Sequence, residues 1–104
     1  MRAFSRKSGY SADTAKEYID PKATIYSLST SLENKFEYVD GERTQNIIAY
    51  ESWYIVEGTE PFKVKFPKKV SLPSFMSPVN LIDLEGVVVK GHVYFRASGL
   101  SEAR

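Results

Sequence analysis

The sequence predicts a mostly β domain, a small OB-like or related β-barrel of five to six strands with one or two short helices. Three observations carry this. FKVKF at 62–66 alternates apolar and basic residues between Pro61 and Pro67, the period of a half-buried strand. Asp40-Gly41 separates two runs rich in β-branched and aromatic residues, the signature of a tight hairpin turn. Turn signals recur at short intervals, which fits a barrel better than any helical fold, with a two-sheet sandwich as the alternative.

The elements follow in chain order. Residues 1–22 are polar and poor in β-branched types; they read as a loosely held arm or as one short helix capped by Ser11 or Asp13, running to Tyr18 and ended by Asp20-Pro21. Residues 23–30, with Ile25 and Leu28, read as a first strand, opening a barrel core over 23–100. Residues 36–39 and 44–56 form the predicted hairpin. Its second arm is long enough to require a bend, placed near Glu51-Ser52. In KKVSLPSFMSPV, Leu72, Phe75 and Met76 stand at one-turn spacing between Pro73 and Pro78 and predict a short helical plug under the sheet. Residues 79–84 and 87–98, separated by Glu85-Gly86, read as a second hairpin.

At 104 residues, with 42% hydrophobic and 26% charged residues, the chain has room for one domain and one modest core. It contains no cysteine, which removes disulfides, thiolate zinc sites and cysteine nucleophiles. No window approaches the roughly 18 apolar residues of a membrane span, so a soluble cytoplasmic protein without membrane contact is expected.

Catalytic chemistry finds little footing. The single histidine, His92, has basic neighbours in sequence and no carboxylate beside it, so a triad or a histidine metal cage lacks its parts. The six glycines are scattered singly, which leaves neither a P-loop nor a dinucleotide fingerprint. The carboxylates read as turn and surface charges. No enzyme activity, cofactor or metal is expected.

A binding surface is the remaining reading. Residues 1–60 carry 7 Lys and Arg against 10 Asp and Glu, a balance of −3, whereas residues 61–104 carry 7 against 3, a balance of +4. Within the basic half, 87–98 (VVVKGHVYFRAS) reads as one strand with two faces. Val87, Val89, Val93, Phe95 and Ala97 are assigned to the core, and Lys90, His92, Tyr94 and Arg96 to the outside. Lys63, Lys65, Lys68 and Lys69 add a basic run, and Trp53 and Tyr54 add aromatic rings. Cations that track phosphates and rings that stack bases are what single-strand binding requires. A solvated edge strand also carries such lysines, and a lone tryptophan in a small domain, like Tyr50 and Tyr54 beside it, is also core material.

Glu42-Arg43-Thr44, then FKVKFPKKVSLPSF at 62–75, then Val79-Asn80-Leu81-Ile82 resemble the helicase-processivity, single-stranded-DNA-binding-like proteins of Gram-positive conjugative elements and plasmids. The resemblance covers about residues 42–98 and consists mostly of apolar framework positions. The first 20 residues and the short C-terminus depart from the family pattern. The resemblance implies an OB-like fold, single-stranded DNA binding during replication or transfer of a mobile element, and contact with helicase or relaxase machinery. It implies no catalytic residues.

Two functions are therefore expected in competition. The first is a non-enzymatic accessory protein that binds single-stranded DNA, or RNA, through Lys63, Lys65, Lys68, Lys69, Lys90, His92, Tyr94, Arg96, Trp53 and Tyr54. The second is a small β-barrel protein-interaction module without nucleic-acid binding, whose acidic and basic halves favour either an oppositely charged protein partner or head-to-tail self-association as a homo-oligomer.

Overall fold

A computed structural model describes residues 9–103. It contains one helix, α1 (Ala12–Tyr18), and eight strands: β1 (Ile25–Ser27), β2 (Glu33–Val39), β3 (Glu42–Val56), β4 (Phe62–Phe66), β5 (Pro78–Ile82), β6 (Glu85–Val89), β7 (His92–Arg96) and β8 (Gly99–Glu102). The mostly β class stands, with eight strands where five to six were expected. The part of the predicted arm before Gly9 lies outside the described residues.

Ser11 caps α1: its side-chain oxygen accepts from the Thr14 N–H at 3.1 Å, and the chain turns extended at Ile19. α1 is docked on β6 by reciprocal backbone bonds of 2.9 Å between Ser11 and Gly86.

The strands form one path, β6-β7-β4-β3-β1-β5-β8, with β2 also paired to β3. β1 and β2 lie end to end along one edge of β3, Ser27 opposite Tyr54 and Glu33 opposite Glu51. Between them the Leu28 N–H donates to the Trp53 carbonyl at 2.9 Å, and the Ser29 hydroxyl accepts from the Trp53 N–H at 2.8 Å. The edge of β3 thus stays satisfied where no strand runs.

β5 and β6 lie near opposite ends of this path, yet only Asp83 and Leu84 separate them. Three peptide steps reach about 10 Å, so the sheet must roll until its ends approach. A single corner marks the approach: the Ala97 N–H donates to the Lys65 carbonyl of β4, and the Ser98 N–H to the Ile82 carbonyl of β5. No ladder joins β6 to β5 or β8 among the described residues, so the sheet is rolled and is not closed into a barrel.

The core sits inside the roll. Tyr54, Val56, Val64, Phe66, Val79, Phe95 and Ala97 come from the strands, and Ala15 and Ile19 from the α1 segment. The inward triplet of FKVKF holds, with Val64 and Phe66 fully buried and Phe62 packed against the cluster. The close approach of α1 requires Gly86: a Cβ there would lie 3.2 Å from the Ala15 nitrogen.

Several expectations need correction. Residues 87–98 are not one strand: Lys90 and Gly91, at φ 52° and 82°, form the two-residue turn of the β6–β7 hairpin. Across such a turn odd residues pair with even ones, Val89 with His92 and Val87 with Tyr94. Val87 and Val89 therefore share the face of His92 and Tyr94, while Val93, Phe95 and Ala97 keep the inward side. β5, expected to pair with this segment, pairs with β1 and β8.

The bend in β3 is also displaced. Its register slips at Ile48 and again between Ile47 and Arg43, whereas pairing with β4 through Glu51 and Ser52 is regular. The helical plug is absent, because Met76 stands at φ 66° in a turn and leaves Phe75 and Met76 exposed. From that connection Val70 packs against the core instead, and Pro73 is buried.

Candidate nucleic-acid interface

Strand alternation and register build two rows on the outer face of the roll. Side chains directly opposite each other in a ladder share a face. One row runs Glu85, Arg96, Lys65, Glu51 and Glu33 across β6, β7, β4, β3 and β2. The next runs Val87 and Tyr94 on the β6–β7 hairpin, then Lys63 and Trp53 on β4 and β3. The first row is charged, and the second is apolar and aromatic with one lysine.

A groove separates the two halves of the aromatic row. β4 and β7 pair only at Val64 with Phe95 and at Lys65 with Arg96. The earlier parts of the two strands have no mutual register, and a groove of about 730 Å³ opens there, lined among others by Trp53, Lys63, His92 and Tyr94. The volume is in the range of small-ligand sites.

Trp53 is not core: it is 37% exposed on this face. Its indole N–H donates to Glu33 at 3.1 Å, and the Lys63 ammonium stands 5.3 Å from its ring centre. Tyr94, 50% exposed, faces the groove from the other side. Tyr10, which sequence reading passed over because no periodicity marks it, joins the face. Its ring lies 4.2 Å from the Arg96 guanidinium and 5.3 Å from the Lys65 ammonium.

The remaining predicted residues divide. Tyr54 is fully buried, its hydroxyl 2.7 Å from that of Ser52, so its ring meets no solvent and stacks no base. Burial pushes its phenol above the ordinary tyrosine value, partly offset by the Ser52 bond. His92 lies at the start of β7 on the outer face, and Lys90 occupies the turn beside it. Lys69 is elsewhere, 6.0 Å from the ring of Tyr50, on the side of β3 that carries Ser52 and Tyr54. The basic run of 63–69 therefore divides between the two faces, because Pro67 ends the strand alternation.

Acids temper the cations. Lys63 pairs with Glu33 at 3.5 Å and Glu51 at 3.6 Å, and Arg96 with Glu85 at 2.7 Å. These exposed pairs contribute at most about 1 kcal/mol each to stability, but they neutralise two of the six named cations. Lys65, Lys68, Lys69 and Lys90 have no ion-pair partner among the described residues. Among those residues no group of three His, Cys, Asp or Glu side chains could hold a metal. No helix there is long and apolar enough to cross a membrane.

No family model, curated protein or solved structure matches this chain. The likeness to helicase-processivity proteins therefore rests on the residues quoted for it.

Proposed function

We propose that the protein binds single-stranded nucleic acid without acting as an enzyme, along the outer groove between β3–β4 and the β6–β7 hairpin. The observation that supports this most is the exposure of Trp53 and Tyr94 on opposite sides of one groove, with Lys63 and Lys65 on the strand between them. Each ring offers a flat face to an unpaired base, worth about 1–3 kcal/mol per stacked base. Lys65 and Lys90 are the ion-pair-free cations of this face and turn, so they are assigned to phosphates. Lys63 and Arg96 serve chiefly to position rings, through Trp53 and Tyr10 respectively.

With this distribution, stacking contributes more to affinity than charge does. With two to three phosphates neutralised, the salt slope for a single strand is shallow, about −0.7 per phosphate or roughly −2 in all. As part of the same proposal, the resemblance extends the reading to an OB-like accessory factor in replication or transfer of a conjugative element, plasmid or phage, working in the cytoplasm with a helicase or relaxase.

The test is fluorescence anisotropy of labelled oligo-dT, titrated at low and physiological salt. Binding tighter to the single strand than to the same sequence as duplex, weakened by Tyr94→Ala, is the expected result. Affinity no greater than that of an unrelated protein of equal charge, or indifference to Tyr94→Ala, overturns the assignment.

A further inference from the structure

The β2–β3 hairpin runs beyond the sheet that carries it. β4 pairs with β3 only over residues 50–54, so the stretch 42–49 has β2 on one edge and no strand on the other among the described residues. Tyr50 shares a strand face with the buried Ser52 and Tyr54, and its cross-strand partner Asn34 lies on the same side. By alternation along β2, Phe36 and Tyr38 continue this core-facing side outward, with Ile47 opposite Phe36 and Arg43 opposite Tyr38. Tyr38 is 65% exposed, and the Arg43 guanidinium lies 4.5 Å over the Phe36 ring.

The charges on this side have one sign. The side chains that the register places here, Asn34, Phe36, Tyr38, Arg43, Ile47 and Tyr50, include no carboxylate; Glu37 and Glu42 fall on the opposite side of the ribbon, and Asp40 is in its turn. At the root the Lys69 ammonium stands 6.0 Å from the Tyr50 ring centre, with Lys68 next to it in the chain. Arg43, Lys65, Lys68 and Lys69 have no ion-pair partner among the described residues. Lys65, opposite Glu51, is on the outer side of the sheet, and four peptide steps, at most about 14 Å, carry the chain from it to Lys69 on the inner side. The basic run thus turns round the end of β4, where the edge of β3 becomes bare.

We propose that a single strand held in the Trp53–Tyr94 groove continues round the end of β4, along Lys65, Lys68 and Lys69, onto this inner side, where Tyr38 and the Arg43–Phe36 pair stack further bases. The proposal rests on the groove reading and extends the site from one face of the sheet to two. Charge complementarity selects a polyanion, because every charged group on this side is a cation. Flat groups select nucleic acid among polyanions: a tyrosine ring and a guanidinium plane both stack unpaired bases whatever their sequence. An acidic protein segment would use the cations and leave those flat surfaces unfilled. Asp40 in the turn, with Glu37 and Glu42 behind it, sets the end of the path, since phosphates are repelled there.

Anisotropy titrations across a range of salt, with labelled oligo-dT of about 6 and about 16 nucleotides, test the path. The short strand is expected to keep the shallow slope of the groove alone. The long strand is expected to show a slope steeper by about 2, at about 0.7 for each of Lys68, Lys69 and Arg43; a longer strand that merely offers more registers to the groove gains affinity with no change of slope. Tyr38→Ala, an uncharged change at an exposed position, should weaken the long strand about tenfold, as for one stacked base, and Lys68→Ala with Lys69→Ala should flatten its slope. Both should leave the short strand unaffected, whereas Tyr94→Ala should weaken the two lengths alike. Short-strand binding with equal slopes for both lengths, or a long strand indifferent to these inner-side variants, overturns the path and leaves the groove standing. Binding of neither length overturns both. Polyglutamate bound by the wild type and lost with Lys68→Ala and Lys69→Ala, while the long strand ignores them, assigns this side to an acidic protein and likewise overturns the path.

Discussion

Lys63 and Trp53 are cross-strand partners whose contact lies on the solvent side of the sheet, the ammonium 5.3 Å from the ring centre. Glu33 holds both, accepting from the indole N–H and pairing with the lysine. The indole is thereby oriented by its edge. Because Trp53 is the only tryptophan, its emission reports on the groove alone. Oligo-dT is expected to quench that emission in step with the anisotropy change, and Tyr94→Ala to shift both curves by about tenfold, a change within the range for one stacked base. An anisotropy change with no response from Trp53 places the nucleic acid elsewhere.

Ser52 and Tyr54 hydrogen-bond in the core, where no other partner for either hydroxyl is present among the described residues. Removing one leaves the other buried and unpaired, so Tyr54→Phe or Ser52→Ala should cost about 1–3 kcal/mol. The double variant should cost clearly less than the sum, as a double-mutant cycle by urea denaturation would show.

The same tyrosine sets a dependence on pH. Its folded pKa is raised, chiefly by burial, so the native state holds the phenolic proton more tightly than the unfolded chain. That contribution is fully present below the unfolded value of about 10 and is lost as pH rises through the folded value. Thermal melts of wild type and Tyr54→Phe should show the stability advantage of the wild type shrinking only above about pH 10.

Gly86 meets the backbone of Ala15 and the ring of Phe95, with gaps of 3.2 to 3.4 Å to an added Cβ. Backbone has little room to yield, so Gly86→Ala should destabilise by about 1–3 kcal/mol. The effect should be read as a lowered melting temperature. An unchanged one would mean that α1 is not seated there.

The β6–β7 turn places Lys90 at φ 52° and Gly91 at φ 82°, a left-handed pair that suits Asn-Gly better than Lys-Gly. Lys90→Asn should therefore raise stability, by up to about 1 kcal/mol, while removing one cation from the groove edge. Gly91→Ala should lower stability by about 1 kcal/mol. Measuring both by denaturant melts and by oligo-dT affinity separates the fold from the surface at this turn.

How far the sequence could be read depended on whether local chemistry or long-range pairing decided each element. Asp40-Gly41 and FKVKF were legible because turn and alternation are local. Lys90-Gly91 was not, since lysine is a poor marker of a left-handed turn, and the unbroken valine run ahead of it concealed the reversal. Of the two readings open for Trp53, parity decides against the core: Ser52, Tyr54 and Val56 bury the even face and leave position 53 outside. Tyr10 and the extra strand β8 depend on contacts far apart in sequence. The acids that neutralise Lys63 and Arg96 could be identified only once the register had placed them in one row.

The union of β4 and β7 at two residue pairs gives the molecule a latch. The β6–β7 hairpin and α1, bonded to each other at Ser11 and Gly86, are paired into the rest of the sheet, among the described residues, at just two positions, Val64 with Phe95 and Lys65 with Arg96. Amide protons of the hairpin and helix should then exchange together, with a lower opening free energy than those in the centre of β3, in native-state hydrogen exchange. The width of the groove would be governed by that one unlatching step, leaving the rest of the sheet intact as its hinge side swings.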